Sequence, residues 1–147
     1  MKKAIILLLV VSLFFVSGCT DQTITSSRDL NGVWQGHSIA FTDRAFDCSY
    51  TGDMTLNLVH NGNNLQGNYN LIVRSAQGNN CVRIGSELGY VVSGTVSSSA
   101  IDLSVDNTDS LVGSFTTDLM TLRWQDCETC GSGPAVKLVG PAQLQRK

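Results

Sequence analysis

From Leu30 onward, apolar and polar side chains alternate with a period of two. Met54, Leu56 and Leu58 are separated by Thr55 and Asn57. After the polar stretch His60-Asn61-Gly62-Asn63-Asn64, the residues Leu65, Gly67, Tyr69, Leu71 and Val73 share one face. The pattern recurs in Tyr90, Val92, Gly94 and Val96, in Ile101, Leu103 and Val105, in Leu111, Gly113 and Phe115, and in Met120, Leu122 and Trp124. Val136 and Leu138 begin a last segment. Successive side chains of a strand point to opposite faces, so period two is the signature of half-buried strands. No window carries a helical period. The pattern predicts an all-β domain of eight strands at roughly 31–41, 52–60, 65–74, 88–96, 100–106, 110–116, 119–126 and 135–145.

Three hairpins repeat one design. One strand reads apolar-x-Gly-x-apolar (Leu65–Tyr69, Val92–Val96, Leu111–Phe115), and its partner carries three alternating apolar residues (Met54–Leu58, Ile101–Val105, Met120–Trp124). Glycine on the inner face lets a sheet bend tightly and leaves room for large side chains opposite. Eight antiparallel strands bent in this way close into an up-and-down (meander) barrel, because strand eight then runs antiparallel to strand one. Following the strands up and down puts tight turns at the lower end (61–64, 97–99, 117–118), together with both termini of the domain. The longer loops (42–51, 75–87, 107–109, 127–134) fall at the upper end.

The N-terminal stretch differs from all this. Lys2 and Lys3 precede an apolar run from Ala4 to Val11, extended by Leu13–Val16, too short for a stable membrane span and flanked like a secretory signal. Val16-Ser17-Gly18-Cys19 resembles a lipobox, the site at which prokaryotic lipoproteins are lipidated on cysteine and cut before it. That resemblance implies a signal peptide over 1–18, a mature chain starting at lipidated Cys19, and a polar tether to residue 29 ahead of a barrel domain over 30–147. It also implies a place in the cell envelope, held to the membrane by the lipid. Thr20 is not the aspartate that commonly retains lipoproteins at an inner membrane, which favours the outer membrane in a host with two membranes and the outer face of the cell membrane otherwise.

Removing the signal takes Lys2 and Lys3 from the ten basic residues, leaving eight against twelve acidic and a net charge of −4. That balance argues against nucleic acid as a partner. The remaining cysteines, Cys48, Cys81, Cys127 and Cys130, are even in number, which outside the cytosol reads as two disulfides. With a hairpin turn near residue 62, Cys48 faces the region around residue 77. A Cys48–Cys81 bond is thus within reach and would leave Cys127 with Cys130; sequence alone leaves the other pairings open. Cys127-Glu128-Thr129-Cys130 also admits a redox motif or, with all four sulfurs converging on one rim, a zinc site. The redox reading lacks the βαβ unit such motifs normally open, and disulfides are the expectation.

The order of strands resembles the lipocalin group. Leu30-Asn31-Gly32-Val33-Trp34 is similar to that group's Gly-x-Trp at the start of strand one, where the Trp plugs the closed end. Thr117-Asp118-Leu119 stands where the family has Thr-Asp-Tyr, and Arg146 lies near the position of the arginine that covers the Trp. Leu119 departs from that motif, and no helix follows strand eight. The expected inner face carries Trp34, Tyr69, Tyr90, Phe115 and Trp124, aromatic residues suited to a small apolar ligand reached from the long-loop end. The same residues would also fill a solid core. The second reading is a protein-interaction or inhibitor module gripping an envelope protein through loops 42–51 and 75–87; a purely structural envelope lipoprotein is the third. Upper-loop carboxylates (Asp43, Asp47, Glu87, Asp106, Asp109, Asp126, Glu128) outnumber Arg44, Arg74 and Arg83; such a rim could hold calcium or meet a basic partner, but reads first as a solvated loop surface that keeps an exported protein in solution. His37, on the outer face of strand one, and His60, at a lower turn, have no nucleophile placed beside them. Hence no catalytic residue, metal or cofactor is assigned, and the expectation is a binding protein rather than an enzyme.

Overall fold

A computed structural model describes residues 28–43, 46–126 and 136–147. The signal segment, Cys19, the tether before residue 28, Arg44, Cys127, Glu128 and Cys130 lie outside these residues. The described chain forms nine antiparallel strands: β1 (Gly32–Asp43), β2 (Cys48–Asn61), β3 (Asn64–Gln77), β4 (Glu87–Ser97), β5 (Ala100–Val105), β6 (Asp109–Phe115), β7 (Leu119–Gln125), β8 (Val136–Leu138) and β9 (Ala142–Arg146). β1 pairs with β2 and so on in order as far as β6 with β7; β9 pairs with β7, and β9 and β8 both pair with β1. The result is a closed eight-stranded antiparallel barrel with one extra strand, and among the described residues there is no helix.

The extra strand is the expected eighth strand cut in two. Gly140, at φ 79°, and Pro141, which has no N–H to give a ladder, interrupt it. Its first piece, β8, covers the upper part of β1 (Phe41 opposite Leu138). Its second, β9, covers the lower part (Trp34 opposite Arg146) and closes the wall against β7.

The three inner-face glycines do what their positions demand. Gly67, Gly94 and Gly113 lie opposite Leu58, Leu103 and Leu122, one from each three-apolar strand. A Cβ on any of them would run into a partner-strand carbonyl, that of Asn57, Asp102 or Thr121 respectively. The strands thus approach and coil too closely for any side chain at these points.

Two bulges shape the wall elsewhere. In β1, His37 and Ser38 together oppose Asp53, with Ser38 at φ 56°; in β3, Arg74 is the extra residue between Val73 and Ser75. The bulges turn His37 and Arg74 toward the same carboxylate on the outer face. His37 Nδ1 sits 2.9 Å from Asp53 Oδ1, and Arg74 Nε donates to Oδ2 at 2.7 Å. These bonds, His37 first and then Arg74, hold the Asp53 carboxyl below the usual carboxylate range.

The lower end is plugged. Trp34 is buried, its Nε1–H donates to the Leu30 carbonyl at 3.2 Å, and the Arg146 guanidinium lies 5.3 Å above its ring. Arg146 also donates to the carbonyls of Asp29 (2.9 Å) and Asn31 (2.6 Å), tying the entering and leaving chain together. Above this plug, Phe41, Met54, Leu56, Leu103, Leu111, Met120, Leu122 and Leu144 are 0% exposed, so no water-sized space adjoins any of them. Each such side chain, once buried, contributes roughly 1.5–3 kcal/mol.

Candidate functional site

The wall has unequal height. β1 to β4 run 12, 14, 14 and 11 residues, whereas β5 to β7 run 6, 7 and 7. The tall side arises because β1 and β2 continue through most of the expected 42–51 loop, leaving only residues 44–47 as the connection. Tyr50 drives this extension: it points inward, stacks on Phe41 at 5.2 Å, and its hydroxyl accepts the Val82 N–H at 3.2 Å. A disulfide between Cys48 and Cys81 (Cα–Cα 5.7 Å) then staples the β1–β2 and β3–β4 connections into one rim. With these two sulfurs bonded to each other, a four-thiolate zinc site is closed off. On the stapled loops Phe46 and Ile84 stand out into solvent, 54% and 68% exposed, and Val91 is exposed on the outer wall of β4 below them.

On the low side, β4 begins to pair with β5 only at Val92. Just above, Val91 N–H donates to Asp106 Oδ1, and the Val91 carbonyl accepts the Asp106 N–H, both at 3.1 Å. The β5–β6 turn that follows holds Asp106 and Asn107 at φ 47° and 61°, a conformation Asp and Asn tolerate better than most residues. Inside the rim, Asp43 and Asp109 are buried. Both stand in phase with the inner face, Asp43 after Ile39 and Phe41, Asp109 before Leu111.

The five aromatic residues expected to line a ligand site do not share one space. Trp34 is the closed-end plug, and Phe115 sits at the lower end of β6, in the buried core beside the lower turns. Tyr69 and Tyr90 stack at 5.0 Å, one strand apart. Trp124 lies near the top of β7, partly exposed, its Nε1–H donating to Asp126 Oδ1 at 3.1 Å. Tyr69, Tyr90 and Trp124 therefore belong to the upper half, and Trp34 and Phe115 to the closed end. The Tyr69 hydroxyl is buried without a hydrogen-bond partner. Burial chiefly, then Tyr90 and the carboxylates of Asp106 and Asp109, pushes its ionisation far up. Tyr90 is raised likewise by burial and by Asp43 and Asp106.

Sequence reading placed the carboxylates of Asp43 and Asp109 on a solvated rim; the structure draws them inside, and period two was the signal that marks them. The exposed apolar pair Phe46 and Ile84 went unnoticed because neither belongs to an alternating run. The site thus defined is a disulfide-stapled rim over a layer bearing carboxylates and tyrosines, at the upper end of an antiparallel barrel. Comparison with protein-family models, with curated proteins and with solved structures finds no match to this chain.

Proposed function

We propose that this protein is a lipid-anchored module of the cell envelope that binds another envelope protein through its stapled upper rim. The observation that carries this reading is the pairing of a buried, packed lower core with exposed apolar side chains on a disulfide-stapled rim. Trp34, Met54, Leu56 and Leu103 are fully buried, which supports a filled lower barrel over one that holds an apolar ligand there. Phe46 and Ile84 meanwhile stand on loops that the Cys48–Cys81 bond holds in place, so little ordering entropy is lost when a partner covers them. Few residues carry most of an interface's energy, and aromatic anchors are typical of them. The lipobox-like Val16-Ser17-Gly18-Cys19 supports the anchor, and termini at the closed end leave the rim facing away from the tether.

In-cell crosslinking from positions 46 and 84, followed by mass spectrometry, is expected to trap one recurrent envelope protein. Phe46→Asp and Ile84→Asp should each weaken its capture at least about ten-fold without lowering the melting temperature. Unchanged capture by both variants would refute the rim as the binding surface.

A further inference from the structure

Outward-facing positions of β4 to β7 alternate with the buried ones, and the register sets four of them in a row across the strands. Thr95 lies beside Asp102, Asp102 beside Val112, and Val112 beside Arg123. Around this row the outer wall holds a hollow of about 430 Å³, lined also by Ser97 and Ala100 next to the lower turn. Small-ligand pockets run roughly 300–1,000 Å³ and combine an apolar lining with a few polar groups. Here the lining is apolar at Ala100 and Val112, bears hydroxyls at Thr95 and Ser97, and is charged at Asp102 and Arg123. Both charged side chains face solvent, and among the described residues neither has a hydrogen-bond or ion-pair partner. They stand two strands apart with Val112 between them, about 10 Å from backbone to backbone. Opposite charges held apart on either side of an apolar residue suit a ligand that carries both charges at its own two ends.

We propose that this hollow binds a short peptide with free ends, two or three residues long, its ammonium on Asp102 and its carboxylate on Arg123. An extended chain spans at most about 3.3–3.6 Å per residue, so two residues reach about 7 Å and three about 10 Å, the interval from β5 to β7. A guanidinium offers a carboxylate two parallel N–H donors, a geometry that a lysine cannot supply. Thr95 and Ser97 stand on the Asp102 side, where their hydroxyls can donate to or accept from the peptide backbone. The middle of the peptide lies over Val112. The same two charges would also match a second copy of the chain turned about a two-fold axis through Val112, with Asp102 over Arg123 in both directions. That pairing sets one hollow against another and leaves both unfilled, whereas a peptide occupies the space. The site stands apart from the rim and does not rest on it, since Ser97 and Ala100 flank a lower turn and Phe46 and Ile84 stand at the other end.

The test follows the backbone amide shifts of the full-length protein in detergent as four probes are added: the dipeptide alanyl-valine, its N-acetyl form, its C-terminal amide, and valine alone. The free dipeptide is expected to move the amides of Asp102, Val112 and Arg123. It should bind at least about ten-fold tighter than either capped form, as for the loss of one charge-assisted contact. Valine alone, too short to bridge both groups, should also bind at least about ten-fold more weakly. Asp102→Asn and Arg123→Gln remove charge from exposed side chains without partners among the described residues, so both variants should fold. Asp102→Asn is expected to bind the free and N-acetyl dipeptides alike while still preferring carboxylate to amide. Arg123→Gln should lose the second preference and keep the first.

No shift at about 10 mM dipeptide, or equal binding of the free and capped forms, would overturn the proposal. So would charge variants that bind the free dipeptide as the parent protein does. Sedimentation showing a dimer that either variant dissolves and the dipeptide leaves unchanged would assign Asp102 and Arg123 to a second copy, and would overturn it too. Because Phe46→Asp and Ile84→Asp leave this wall intact, peptide binding can survive the loss of protein capture, and either reading can fail alone.

Discussion

Tyr69 is 1% exposed, and its hydroxyl must stay protonated to remain where it is, since a phenolate would sit buried among carboxylates. A group whose ionisation is raised on folding keeps its proton past the ordinary tyrosine range, so the folded state loses stability as pH climbs above about 10. Ultraviolet titration is therefore expected to show Tyr69 and Tyr90 ionising above that range, with Tyr69 released only as the fold is lost. A normal tyrosine titration of the intact fold would contradict this placement. Asp53 works in the opposite sense: its carboxyl is held low by His37 and Arg74, so its contribution is present above about pH 4 and fades as pH falls through its folded value. Because its partners are largely exposed, the gain is small, about 0–1 kcal/mol. The acid denaturation profile of Asp53→Asn should be correspondingly a little flatter. Neither residue's surroundings were legible in the sequence. Tyr69 read as an inner-face aromatic, but its unpaired hydroxyl and the carboxylates above it depend on how four strands meet.

At the scale of elements, most of the barrel was readable because one face of every strand is wet and the other dry. The apolar-x-Gly-x-apolar repeat marked the three bends, and each glycine is found against a partner carbonyl. Gly94→Ala is the sharpest test, since its Cβ would collide with backbone, which cannot rotate away as a side chain can. Overpacking of this kind costs about 1–3 kcal/mol, and chemical denaturation should show a loss of that size or more. Gly62→Ala puts its Cβ into open space at a turn with φ 64°, so it should cost only the backbone penalty, about 1 kcal/mol. What the alternation could not convey is where it changes phase. The His37–Ser38 bulge moves the inward set of β1 from even positions (Trp34, Gly36) to odd ones (Ile39, Phe41, Asp43). The pairing of β2 with β3 above Gly52 is likewise hidden, because Ser49, Thr51 and Gly52 carry little apolar signal.

For the whole molecule, strand parity and the sorting of loops by end followed from counting, and so did the reach of Cys48 to Cys81. The disulfide closes a separation of 33 residues, for which chain entropy alone gives about 3–4 kcal/mol. The Cys48→Ser, Cys81→Ser double variant is expected to lose that much in a denaturant midpoint measured under oxidising conditions. Its losses should concentrate at the rim, with amide exchange rising at Tyr50 and Val82 before it rises at Trp34. Uniform exchange throughout would show that the staple supports the barrel rather than the rim.

The lower clasp joins the chain as it enters at Asp29 and Asn31 to Arg146 as it leaves, and the rim stands at the far end of the same strands. A pull applied between those two ends runs along the strands, across ladder bonds that lie perpendicular to it. Such a load shears the ten residue pairs of β1 against β2 together instead of peeling them one by one. Seen mechanically, the molecule is built as a tie-rod, weak to a tug from the side and strong to tension along its length.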